Sequence, residues 1–153
     1  MRDNTKNVNI TTALFDIRRE TEGDGRRIEE YLEWFDKTLS LKTNMTIYTE
    51  PAFLEFVKSR RDPETTRIIC CELNEIPYYH LKDEIEKILS SKYYLDNIED
   101  PSRIECKLSL YNIIQYSKFA WVTKSIELDK NSSDFYFWMD RSEERRVGKE
   151  CRL

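Results

Sequence analysis

The chain has 153 residues, of which 35% are charged, 39% apolar and 12% aromatic, with a formal net charge of −4. So many aromatics exclude a disordered chain, and the acidic balance excludes general nucleic-acid binding, which rests on neutralising phosphates. The length suits one domain or part of one, with room for a real core.

Met1 to Asn9 is polar and carries no apolar signal segment. No window holds the ~18 uninterrupted apolar residues of a membrane span. Val8 to Ile17 is β-rich, ends in the run Ala13, Leu14, Phe15, and predicts a first strand with Asp16 at its C-terminal end. Arg18 to Gly25 is polar and reads as a loop. Its Gly23-Asp24-Gly25 lacks the third glycine of a dinucleotide fingerprint.

Ile28, Tyr31, Leu32, Phe35 and Leu39 recur at helical spacing and predict a helix from about Arg26 to Leu41. Asn44 to Thr49 is a second strand, with Met45 and Ile47 on one face. Pro51 opens a short helix through Arg60, and Thr66 to Leu73 is a third strand. Pro77 marks a helix reaching about Lys92, with Leu81, Ile85, Ile88 and Leu89 as its apolar positions. Asp96 to Pro101 is a loop. Ser102, followed three residues later by Glu105, is expected to cap two helical stretches running to about Leu128. Asn131 to Asp134 is a turn, and Phe135 to Met139 is a short aromatic strand ending at Asp140.

This alternation argues for an α/β fold, a mostly parallel sheet with helices on both faces. In such sheets ligands bind at the carboxyl ends of the strands. Asp16 and Asp140 both fall at such ends.

The four cysteines include no CxxC pair, so neither a zinc site nor a thioredoxin-like motif is supported. Cys70 and Cys71 are expected in the core on opposite strand faces. Trp34, Trp121 and Trp138 are core by default. The sole histidine, His80, reads as a packing or surface residue rather than a catalyst. Glycosylation sequons begin at Asn9, Asn44 and Asn131, but the first two lie in or beside strands where a glycan would disrupt packing. A reducing cytoplasm is the simplest expectation.

Arg141 to Leu153 is almost wholly charged, with five basic and three acidic residues; without it, 25 basic and 29 acidic residues fall to 20 and 26. Read back into codons, Arg141 to Arg152 resembles a translated sequencing adapter. The alternative is a genuine charged tail. The expectation is a native part, residues 1–140, followed by a non-native tail, residues 141–153.

Several segments, taken in order, resemble the HtrL/WlaTC (YibB-like) glycosyltransferases. Thr11 to Arg19, TTALFDIRR, is similar to the family's opening strand, which ends in Phe-Asp-Ile followed by a small residue and an arginine. Arg18 stands where glycine is usual, and Arg19 matches the arginine. Arg26 to Phe35 resembles the first helix and Asn44 to Pro51 the second strand. Leu110 to Val122 resembles a helix bearing a Ser-Lys pair, here Ser117 and Lys118. Phe135 to Asp140 resembles the strand before an Asp-Ala-Gly signature, with Arg141-Ser142 in place of Ala-Gly.

The resemblance implies the N-terminal, nucleotide-binding half of a GT-A-like transferase in surface glycan or lipopolysaccharide-type assembly. Its partners would be a nucleotide-sugar donor and a glycan acceptor. It also implies a Mg²⁺ or Mn²⁺ held by a strand-end carboxylate against the donor diphosphate. Asp140 is assigned that role; the alternative is a solvated strand-end aspartate. Asp16 is assigned to the nucleotide base or ribose, or else it caps the following loop. Arg19 and Arg26 are assigned to phosphate through charge-assisted bonds, against a surface salt bridge in each case. Lys118 meets a phosphate or pairs with a carboxylate. The break after Asp140 implies an inactive fragment with an exposed apolar edge at its last strand. A non-enzymatic α/β binding module is the main rival reading, and a metal-dependent phosphohydrolase using Asp16 and Asp140 a weaker one.

Overall fold

The computed structural model describes residues 7–129 and 133–140. Arg141 to Leu153 and the first half of the expected turn at Asn131 lie outside the described residues. Four strands form one parallel sheet: β1 (Val8–Leu14), β2 (Asn44–Thr49), β3 (Thr66–Cys70) and β4 (Phe135–Trp138), in the order β3-β2-β1-β4. The register pairs Asn9 with Asn44 and Leu14 with Thr49, and on the other side of β1 pairs Val8 with Phe135. β1 and β2 are buried along almost their whole length, as parallel strands covered on both faces must be.

Alternation along β1 divides the core in two. Ile10 and Leu14 join Met45 and Ile47 of β2 beneath α2 (Ile28–Leu39) and α3 (Leu54–Lys58), meeting Phe35, Leu39 and Val57. Ala13 and Phe15 join Tyr48 on the opposite face, under α6 (Ser109–Leu128), with Ile113, Ile114 and Trp121. α2 buries Tyr31, Phe35 and Leu39, the stripe that its spacing predicts. Two of the sheet's buried hydroxyls are matched to carbonyls: Thr12 Oγ1 donates to the Met139 carbonyl (2.9 Å) and Thr49 Oγ1 to the Leu14 carbonyl (3.0 Å). Asn9 is buried and its Oδ1 accepts from Thr46 Oγ1, while Asn44 bonds Asn7, so the first two sequons are packed into the sheet.

The strand order places a topological switch point between β1 and β4. From β1 the chain winds outward through β2 to β3 by way of α2 and α3. It then crosses the other face, by way of α4 (Lys82–Leu89), α5 (Lys92–Asn97) and α6, to reach β4 on the far side of β1. Ligands of open parallel sheets sit outside the carboxyl ends of the strands at such a point.

Several local expectations need correction. β1 stops at Leu14 and not Ile17, because Asp16 turns out of the ladder and gives its N–H to Glu50 Oε1. The expected loop after it contains a short helix, α1 (Arg19–Glu22). β3 stops at Cys70, because Leu73–Glu75 winds into a 3₁₀ turn. Cys70 is exposed instead of core, and Cys71 is half-buried, its thiol pushed up to about 11 chiefly by burial. Ser102 does not cap a helix: its N–H and hydroxyl both bond Asp100 Oδ1, and the next turn starts at Ile104. Nothing in the pattern anticipated α5, which Ser91 caps by accepting from the Tyr94 N–H (3.2 Å). Ile88 faces solvent despite its helical spacing.

Two apolar surfaces are left open. α6 buries Leu110, Ile113 and Trp121 on one side and exposes Tyr116, Phe119 and Ile126 on another. β4 lies at the sheet edge among the described strands, with Phe135 and Phe137 stacked at 6.3 Å and exposed. No helix among the described residues is long and apolar enough to cross a membrane.

Candidate functional site

Each strand delivers a carboxylate at its carboxyl end: Asp16 after β1, Glu50 after β2, Glu72 after β3 and Asp140 after β4. Beside the β1/β4 switch point, α6 brings in Lys118. Its ammonium lies 2.6 Å from Asp140 Oδ1 and 5.6 Å from the centroid of the Trp138 ring. Trp138 Nε1 donates to the same carboxylate oxygen at 2.8 Å. Trp138 is itself fixed from below, stacked on Trp121 (5.7 Å), which stacks in turn on Phe15 and Tyr48. Tyr48 completes the support by donating its hydroxyl to the Trp121 carbonyl (3.1 Å). The aromatic column therefore rises through the core and ends at a lysine-carboxylate pair on the carboxyl edge.

Ser117 and Lys118, adjacent on α6, face different neighbours. The buried Ser117 hydroxyl donates to the Pro77 carbonyl (2.5 Å) and ties the turn before α4 to α6. Lys118 faces the site.

The β1–α2 connection makes the other wall. Asp16 Oδ1 accepts the Arg18 N–H (2.8 Å), so its carboxylate caps its own loop. Arg18 adopts the left-handed backbone region, with φ 61°. Arg19 points inward, only 10% of its side chain exposed. It grips Asp24 through both Nε and Nη2, donates to the Tyr31 hydroxyl, and lies against the Tyr31 and Tyr111 rings at 5.7 and 5.5 Å. Burial works against its charge, yet Asp24 and the two tyrosines hold its pKa above the ordinary value. The hydrogen bond from Arg19, the largest influence, keeps the Asp24 carboxyl below its usual range.

The glycines fold the loop around that arginine. The N–H groups of Gly23 and Gly25 both reach the Arg19 carbonyl. A Cβ on Gly23 would come within 2.9 Å of Ile104, and Gly25 has φ 80°. Gly-Asp-Gly is thus an arginine clamp and not a fragment of a dinucleotide loop. Arg26 lies half-buried over the Trp34 ring at 5.6 Å. Asp16, Arg18, Arg19 and Arg26 line one cavity of about 90 Å³.

The structure therefore divides the residues singled out in the sequence into two groups. Asp16, Arg19 and Arg26 share the β1–α2 cavity. Lys118 and Asp140 meet at the end of β4. Glu50 and Trp138 were missed as site residues, although the strand-end rule that flagged Asp16 applies equally to Glu50. Burial is the chief cause of a raised Glu50 pKa; the Asp16 N–H opposes it, and the negative charges of Asp16 and Glu72 add to it. Among the described residues, no group of three or more His, Cys, Asp or Glu side chains is placed to hold a metal ion.

Residues 6–145 match the family described as "Bacterial protein of unknown function (HtrL_YibB)". The chain belongs to this family. The HtrL_YibB match holds both groups of site residues and runs past Asp140 to residue 145, into the stretch read above as non-native. Protein HtrL of Escherichia coli (strain K12) is 24% identical over 145 residues, which cover 86% of this chain and 49% of that protein. The chain thus spans about half the length of the curated HtrL_YibB relative it matches. No solved structure matches it.

Proposed function

We propose that this chain carries the donor-binding half of a nucleotide-sugar-dependent glycosyltransferase, with the donor lying over the carboxyl edge of β1 and β4. One observation carries the reading. The lysine of α6, a tryptophan face and the strand-end Asp140 converge at the switch point of a parallel sheet, where such folds take nucleotides. Resemblance to transferases in the order of motifs supports the same reaction class.

In this reading Lys118 meets the donor diphosphate and offsets the charge that grows on it as the sugar leaves. Asp140 and Trp138 hold the ammonium in place until phosphate displaces the carboxylate. Asp16, at the end of β1, lies on the nucleoside side. Arg26 stands beside it at the cavity wall. Protein HtrL is about twice as long as the part matched here, and acceptor binding is assigned to such additional chain. Surface glycan assembly is the process that the resemblance favours.

The described residues do not fit a preformed cation cage. Among the described residues Asp140 belongs to no group of three or more His, Cys, Asp or Glu side chains placed to hold a metal ion, and one of its oxygens already serves Lys118 and Trp138. A cation at Asp140 would have to draw its other ligands from the diphosphate itself, so the proposal puts Lys118 first.

Calorimetric titration with a panel of nucleoside-diphosphate sugars, with and without Mg²⁺ or Mn²⁺, tests the reading. At least one donor should bind wild type, and Lys118→Met should weaken it about tenfold or more, as expected for loss of one charged hydrogen bond. A panel without any binder would refute the reading.

A further inference from the structure

We infer that Arg18, and not Arg19, is the arginine that contacts phosphate in the β1–α2 cavity. The inference rests on the donor-binding reading above and assigns a residue to it. Three arginines edge this cavity, and their surroundings differ. Arg19 is occupied by the fold: its guanidinium is held by Asp24 and Tyr31 and lies against two tyrosine rings, with a tenth of its side chain exposed. Turning it toward a ligand would strip Asp24 of its partner and open the loop. Arg26 lies against Trp34. Arg18 has 65% of its side chain exposed, and among the described residues its guanidinium pairs with Glu22 alone, at 3.3 Å and four residues on. A surface pair of that kind costs little to break.

The backbone supports the same assignment. Arg18 sits at φ 61° and ψ 36°, where a side chain bears a steric penalty and glycine bears none. The strain gives the fold little in return: about two-thirds of the side chain is exposed, its pair with Glu22 is a surface one, and its N–H bond to Asp16 would be made equally well by glycine. A strained, non-glycine residue at a cavity mouth is a common mark of function. The cavity, about 90 Å³, has room for roughly three waters. That is room enough for a phosphate group. A guanidinium fork at its mouth suits phosphate oxygens. The ligand chemistry is therefore a phosphate, supplied either by a nucleoside diphosphate or by free inorganic phosphate.

The test compares wild type with Arg18→Gly, Arg18→Ala and Glu22→Gln, using inorganic pyrophosphate and UDP as probes in calorimetry at low salt, with a thermal melt of each variant. Arg18→Gly should bind both probes at least tenfold more weakly, the size of a lost charged hydrogen bond, yet melt no lower than wild type. Arg18→Ala, which keeps the strain, should lose the same affinity and melt below Arg18→Gly. Glu22→Gln, which frees the guanidinium, should bind at least as tightly as wild type. Binding of UDP no tighter than of pyrophosphate would identify free phosphate as the source and leave the role of Arg18 standing. Unchanged binding in Arg18→Gly, or a lowered melt with it, would overturn the assignment and leave the donor-binding reading intact. Failure of wild type to bind either probe would overturn both.

Discussion

Replacing Arg19 by methionine separates a fold clamp from a phosphate ligand. The side chain is nine-tenths buried, so its stem packs and its charge is largely removed from water. Methionine keeps much of the packing but abolishes two bonds to Asp24, one to Tyr31 and the charge lying against Tyr31 and Tyr111. Losing one partner of a fully buried ion pair costs about 3–5 kcal/mol. A third of the Asp24 side chain remains exposed and can rehydrate, which lowers the expectation to about 2–4 kcal/mol. For a domain of this length that is a fall in Tm of roughly 5–15 °C. Urea unfolding followed by circular dichroism measures it directly. The pair should also show itself in acid. The Asp24 pKa is lowered in the fold, so its contribution is present above the ordinary aspartate value and disappears as pH falls through the folded value. The gap between wild type and Arg19→Met should therefore narrow below about pH 4. A loss under about 1 kcal/mol, accompanied by weakened phosphate binding, would refute the clamp and return Arg19 to the ligand.

Further predictions concern the sheet. Glu50 has a raised pKa in the fold, chiefly through burial, so the folded state holds its proton more tightly and stability falls as pH rises above about 4. Glu50→Gln should be more stable than wild type at pH 7, with the difference vanishing in acid; a pH series of melts checks the sign. Thr11 is fully buried, and among the described residues its Oγ1 is a buried side-chain atom without a hydrogen-bond partner. Thr11→Val should stabilise by about 1 kcal/mol in denaturant unfolding. Phe119, 82% exposed on α6, should accept Phe119→Gln with a change within about 0.5 kcal/mol.

Periodicity recovered what is written locally. The α2 stripe and the alternation of Met45 and Ile47 follow from spacing alone, and the parallel sheet follows from the alternating order of strands and helices. The strand-end rule placed Asp16 and Asp140 just past the carboxyl ends of two strands, where β1 and β4 have them. What the pattern missed depends on partners distant in sequence. Asp16 leaves the ladder for Glu50, 34 residues away. Lys118 finds Asp140 only because the chain returns to β1 through β4. The roles of Arg18 and Arg19 could not be told apart from adjacent letters: one faces solvent and the other a clamp, and only the left-handed turn at Arg18 decides which. Ser102-x-x-Glu105 has the form of a capping box, but Asp100 captures the serine first.

The central claim is that a nucleotide-sugar donor binds at the β1/β4 switch point, and amide chemical-shift mapping during titration with UDP-sugars tests it most directly. The account predicts perturbations concentrated at residues 15–19, 118 and 138–140 that weaken in Lys118→Met. Perturbations confined to the opposite edge of the sheet, around Asn7, Thr43 and Thr65, or none with any donor, would contradict it.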